Sequence, residues 1–193
     1  MKGTISVIDN NVIYLIKQLA DYECGLNDRE IDLIENLYAI RFPKALKDFL
    51  HQGTAISDND GGFPDWRNLS LDNVESIKKR INAPYNWLKR DVLKYGYWSK
   101  SWGKRPENPA AVQSKFMSIS ENAPLLIPIY SHRYMPVLDG VDDPPIISTV
   151  GRDTVYYGHN LEEYLEAEFL KKRVTTSNYT YIPFWSEIIG DKI

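Results

Sequence analysis

The residues that could do chemistry in this chain are few, and their spacing decides what they could do. His51, His132 and His159 lie far apart, and Cys24 is the sole cysteine. No HxxxH or CxxC pattern brings ligands together, so no metal ligand set is expected. Cys24 has no thiol to pair with and reads as a small packing residue. No G-x-S-x-G, P-loop or G-x-G-x-x-G is present. Asp58-Asn59-Asp60-Gly61 resembles part of a calcium loop, but with Gly61 in the loop's glycine position its first ligand would be Ile56. It reads as a turn. The paired carboxylates are unspecific: Asp142-Asp143 precede Pro144-Pro145 in a rigid loop. Glu162-Glu163 fall in the first turn of a helix, where negative charge suits the dipole.

Three constellations remain. His132-Arg133-Tyr134 follows directly on a hydrophobic run that reads as a buried strand, so it stands at a strand end. Arg offers a rigid fork of donors for a carboxylate or phosphate, and His can change charge near neutral pH. The structural alternative is an ion pair of Arg133 with Asp153 or Asp139 that holds a loop. The second constellation is Trp98, Trp102 and Arg105, within an aromatic and basic insert. The third is Trp66-Arg67. Trp and Arg are enriched among the residues that dominate protein interfaces, and all eight residues are candidate partner contacts. A loop plugged into the core by its tryptophans is the equal alternative for the insert.

Elements must position these residues. Apolar Val12, Ile13, Ile16, Leu19 and Ala20 recur at helix spacing after Asp9-Asn10-Asn11. Asn27 and Glu30 form a capping-box pattern, with Leu26 and Ile31 as its staple, and Ile31, Ile34 and Leu37 mark a buried face. Pro43 opens another helix in its first turn, with Leu46, Phe49 and Leu50 inward and Gly53 as its stop. Ser70 caps a helix carrying Val74, Ile77 and Ile81. Pro84 starts a separate one, and Asn108-Pro109 a further one through Val112 and Phe116. The pattern then turns to short β-rich runs at 125–130, 134–138, 146–150 and 154–157, with Asp139-Gly140 and Gly151-Arg152-Asp153 as turns. Pro128 suggests a bulge or an edge position. Asn160 caps a helix with Leu161, Leu165 and Phe169 on its apolar side, and the aromatic tail 179–189 packs back on the body. Helices, then antiparallel strands, then a helix predict an α+β fold. The expected sheet has about four to six antiparallel strands packed with helices, with the N-terminal half mainly helical.

Composition bounds the function. The 193 residues are 43% hydrophobic and 25% charged, as in an ordinary globular domain. The net charge of −3 and the short basic runs, Lys78-Lys79-Arg80 and Lys171-Lys172-Arg173, read as solvated helix faces. Direct nucleic-acid binding is not expected from them. The 13 Tyr and 5 Trp leave open a binding surface or a core of half-buried rings. No stretch is apolar for long enough to span a membrane, and the N-terminus lacks the apolar segment of a signal peptide. The expected compartment is a reducing cytoplasm.

Three segments carry a family resemblance. Residues 31–50, with Phe42-Pro43, resemble a helix–Pro–helix entry. Leu126-Ile127-Pro128-Ile129-Tyr130 resembles a central strand. Thr154-Val155-Tyr156-Tyr157-Gly158, followed by residues 161–169, resembles a last strand and closing helix. In order and spacing the chain resembles the SUKH superfamily, named for a yeast cell-wall-synthesis regulator and related bacterial proteins. The likeness covers residues 28–170. It leaves a helical extension over 1–26 and an amphipathic tail over 171–193 on what reads as a single domain. The resemblance implies a central antiparallel sheet and, for bacterial members, an immunity protein that binds and neutralises a toxin domain, often a nuclease. The expectation is therefore a non-enzymatic protein-binding domain with no cofactor and a toxin as partner. The alternative is a small-ligand or nucleotide-derivative sensor with a pocket near His132 and Arg133. A hydrolase with convergent His and Asp residues is a third reading.

Overall fold

The computed structural model describes residues 8–57, 61–174 and 177–191. The Asp58–Asp60 part of the calcium-like turn lies outside the described residues. Helix α1 (Asn10–Leu19) starts at Asp9, whose side chain accepts from Asn11 N–H, and buries Val12 and Ile16. A short strand β1 (Asp21–Glu23) follows. Helix α2 (Asp28–Tyr38) opens with the expected capping box: Asn27 accepts from Glu30 N–H at 3.1 Å, and Glu30 from Asn27 N–H at 2.8 Å. Its buried face differs from the expected one at its end. Leu37 is exposed, while Tyr38 and the carboxylate Glu35 are buried. Glu35 is buried because it has work there: it accepts from Phe42 N–H at 2.7 Å and pairs with Lys47 at 2.8 Å. Those bonds fix the link into helix α3 (Lys44–Gln52), for which Pro43 is the N-cap residue. Strand β2 (Thr54–Ile56) pairs antiparallel with β1, a two-stranded ladder that the sequence reading does not contain.

Helix α4 (Leu71–Lys94) corrects an expectation. Pro84 does not start a new helix; the 24-residue helix runs through it. A proline there cannot donate to the carbonyl of Arg80, four residues back. The hydroxyl of Tyr134 donates to that carbonyl instead, at 3.3 Å. A 3-10 turn (Lys100–Trp102) and helix α5 (Pro109–Ser120) come next; Asn108 caps α5 and Pro109 sits in its first turn.

Strands β3 (Leu126–Tyr130), β4 (Arg133–Pro136), β5 (Ile146–Val150) and β6 (Asp153–Gly158) form an antiparallel sheet in the order β3-β4-β5-β6. The fold is therefore α+β. Pro128 lies on the edge strand, next to a register shift between Pro128 and Tyr130, so both readings of that proline hold. Helix α6 (Leu161–Leu170) and helix α7 (Trp185–Gly190) complete the order. Helix α6 ends before the basic run: Lys171 is a left-handed C-cap residue, so Lys171-Lys172-Arg173 follows the helix rather than lining it.

Both faces of the sheet are covered, which is why β3 reads as a continuous apolar run rather than an alternating one. Ile127, Ile129, Met135 and Ile146 pack on one side with α1, α2, α3, α6 and the first half of α4. Leu126, Tyr134 and Ile147 pack on the other with the second half of α4, α5 and residues 182–189. Helix α4 thus serves both cores, with Pro84 near the crossing.

Candidate functional site at the His132–Arg133 corner

The β3–β4 connection has only Ser131 and His132 between the paired residues Tyr130 and Arg133. A link this short needs a positive φ, and Ser131 supplies it at 50°. The carbonyl of His132 accepts from Thr149 N–H at 3.1 Å, which continues the β4–β5 pairing into the turn.

Side chains alternate across a strand, so the three neighbours named in the sequence do not form one site. Tyr134 points into the second core, is 1% exposed, and reaches Arg80. Burial pushes its hydroxyl up to about 12. Arg133 faces the other way, towards α6. Its guanidinium carbon sits 3.9 Å from the centre of the Tyr157 ring, and Nη1 donates to Ser148 Oγ at 3.2 Å. Its Nε lies 3.4 Å from Glu168 Oε2, with the two side chains 11% and 18% exposed. The structural ion pair expected of Arg133 is present, but with Glu168 rather than with Asp153 or Asp139. The His132 ring is half-buried, with Nδ1 2.9 Å from Ser131 Oγ. Burial, and then the charge of Arg133, lower its pKa from 6.5; Glu168 and Asp153 oppose them.

Paired residues share a face of the sheet, so Arg133, Ser148 and Val155 make one row across β4, β5 and β6. Val150 and Asp153 form the next row on that side, towards the hairpin tip. Helix α6 covers the opposite end of this face, with Tyr164 against Gly158 and Tyr157. The corner beyond it exposes Val150 (41%) and Val155 (37%).

The other candidates lie elsewhere. Trp66 is buried, edge-on to Tyr38 at 5.6 Å and to Phe42 at 5.0 Å. Arg67 pairs with Glu23 at 2.6 Å and Glu30 at 3.0 Å, and donates to the carbonyls of Cys24 and Gly25. It ties the start of α2 to the β1–β2 ladder. In the insert, the plug is what the structure shows for Trp102. The ring is buried and stacks on Phe184 at 5.6 Å and 10°, and its N–H donates to Glu187 at 3.0 Å. Tyr97 and the Lys100 N–H both reach Asp191, so the insert is clasped by the C-terminal helix. Trp98 is half-buried, donates to the Gly103 carbonyl at 2.9 Å, and lies edge-on to Trp102. Arg105 is also half-buried, and its Nε has no hydrogen-bond partner among the described residues.

The sequence reading does not contain Tyr157, Ser148 and Glu168 as parts of the Arg133 environment, nor Tyr164 as a neighbour of Tyr157. The available signal was on α6: Tyr164 and Glu168 are four residues apart, each just before a member of the Leu161, Leu165, Phe169 ladder. Among the described residues no group of three or more His, Cys, Asp or Glu side chains could hold a metal ion. No helix among them is long and apolar enough to cross a membrane. No family model matches the chain, and neither a curated protein nor a solved structure matches it.

Proposed function

We propose that this chain is a non-enzymatic protein-binding domain of the SUKH immunity type, acting in the cytoplasm by covering an essential surface of a toxin domain. The reading starts from the resemblance carried by residues 31–50, 126–130 and 154–169. The observation that supports it is the open corner of the sheet, where Val150 and Val155 are exposed as diagonal neighbours. An apolar pair on a rigid strand, rimmed by polar residues, suits a protein partner. The sensor reading is weaker for a specific reason. Arg133, which would have to hold the ligand, is engaged with Glu168, Ser148 and Tyr157 and is nearly buried.

The test is co-expression with a toxin encoded beside the gene. Growth rescue and co-elution of the two proteins are expected, and a Val150→Glu/Val155→Glu variant that keeps its melting temperature should lose both. If the toxin kills regardless and the proteins elute apart, the immunity reading fails. If the double variant protects as well as the wild type, the corner is not the contact.

A further inference from the structure

Residues 177–182 run beside Tyr156 of β6 as a strap and lead into the second core, where Ile182 is fully buried. The Tyr179 ring lies parallel to Tyr156 at 4.2 Å and 4°, and to His159 at 4.0 Å and 7°. Two rings so close and so parallel to a third must take its opposite faces, so Tyr179 is inserted between Tyr156 and His159. Hydrogen bonds continue the stack. The Tyr156 hydroxyl reaches the Thr180 carbonyl at 3.2 Å and also Ser186 Oγ. That same Oγ accepts from Ile182 N–H at 2.7 Å. One contiguous set of contacts therefore joins His159 to the segment that closes the second core.

The His159 ring has an acceptor at each nitrogen. Nδ1 lies 2.7 Å from Glu163 Oε2, and Nε2 lies 2.7 Å from the Ser177 carbonyl. Glu163 Oε2 also accepts from the His159 backbone N–H at 2.6 Å, so it faces the ring as an acceptor. A neutral imidazole carries one N–H and would turn a lone pair on one of these oxygens. An imidazolium donates to both, at distances usual for charge-assisted bonds. Its charge also adds attraction to the face of Tyr179. The titratable groups that face the ring are Glu163 from α6 and Tyr179 from the strap, with Tyr156 of β6 behind Tyr179. Burial does most to raise the pKa of Tyr179 above 10.0, so that phenol stays neutral while His159 titrates. We propose that these contacts form a pH-sensitive switch, in which one proton on His159 fastens the strap and its loss loosens the entry to the second core. The Ser177 carbonyl does most to raise the pKa of His159 above 6.5. The fastening is therefore complete below that ordinary value and is lost as the pH rises through the raised one.

Amide hydrogen exchange of the full chain, expressed as protection over free-peptide rates, tests this at about pH 6 and about pH 8. Protection of the Ile182 and Ser186 amides should fall on the order of tenfold at the higher pH. His159→Phe keeps a ring in the stack but has no proton to bind. Its protection should match that of the parent at the higher pH and stay the same at the lower. Equal protection in the parent at both pH values overturns the switch, as does an undiminished fall in His159→Phe. A nuclear magnetic resonance titration of the parent gives a second readout. An imidazole of His159 that titrates at or below the ordinary value of about 6.5 would also overturn it.

Discussion

The substitution Tyr134→Phe tests how a proline is carried inside α4. In an unbroken helix the N–H of residue 84 would donate to the carbonyl of residue 80. Pro84 has no N–H, and the Tyr134 hydroxyl takes its place at 3.3 Å. Because burial pushes that hydroxyl up to about 12, it stays a neutral donor throughout the neutral range. Phenylalanine keeps the ring in its core but leaves the Arg80 carbonyl without this donor. Losing such a bond in a half-buried setting costs about 1–2 kcal/mol. For a chain of this size that lowers the melting temperature by about 3–6 °C. Urea unfolding followed by far-ultraviolet circular dichroism at neutral pH measures it. The decisive arm is a double-mutant cycle with Pro84→Ala, which returns a helical N–H to the Arg80 carbonyl. In that background Tyr134→Phe should cost less, giving a coupling of about 1 kcal/mol. Equal losses with and without Pro84 would refute the argument, as would no loss in the parent chain.

Trp102→Ala should lower stability by about 3–5 kcal/mol, because the ring fills the second core against Phe184; an unchanged thermal transition would contradict its role as a plug. Gly151 has φ +65°, and a Cβ there would lie 2.1 Å from Asp91 Oδ2, the atom that accepts from Arg152 N–H. Gly151→Ala should therefore cost about 2–3 kcal/mol in urea unfolding, from backbone strain and the displaced carboxylate; a variant as stable as wild type would show that the hairpin tip moves freely. His159 stacks on Tyr179 at 4.0 Å, and its two ring nitrogens meet Glu163 and the Ser177 carbonyl, each at 2.7 Å. The Ser177 carbonyl does most to raise its pKa above 6.5; burial opposes it, and Glu163 adds to the rise. A raised folded-state value means that this latch is fully present below the ordinary value and is lost as pH rises through the folded one. Proteolytic cleavage near Ser177 should therefore be faster at about pH 8 than at about pH 6, with the difference absent in His159→Phe. Equal cleavage of the parent chain at both pH values would remove the latch.

Much of the fold is legible in the sequence because its signals are local. The Asn27–Glu30 capping box, Asn108-Pro109, and Pro128 at an edge each act within a few residues, and each appears where expected. The misses share a cause, which is dependence on distant partners. The β1–β2 ladder pairs Tyr22 with Ala55, three-residue strands too short to show any alternation. Pro84 obeys the rule for a helix start in sequence, and the donor that meets the carbonyl it leaves, Tyr134, lies fifty residues on. At the site, the sequence offers acidic residues such as Asp139 or Asp153 as partners for Arg133, whereas the structure pairs it with Glu168 on α6. His132, Arg133 and Tyr134 look like one group on paper, yet the strand period sends Arg133 and Tyr134 to opposite cores.

The second core has a consequence for the order in which the chain can fold as it is synthesised. The face that holds Arg133 can be assembled from residues up to Leu170, since α6 follows directly on β6. The opposite face needs Ile182, Phe184, Trp185 and Ile188, which are made long after Leu88, Trp102 and Phe116. Until they emerge, the aromatic insert has neither its stacking partner nor Glu187 and Asp191 to hold it. While residues 182–189 are not yet docked, as in a chain cut after Leu170, one face of the sheet therefore stays apolar and open although the other can close. That is when this protein is most exposed to chaperones and to sticking to its own copies.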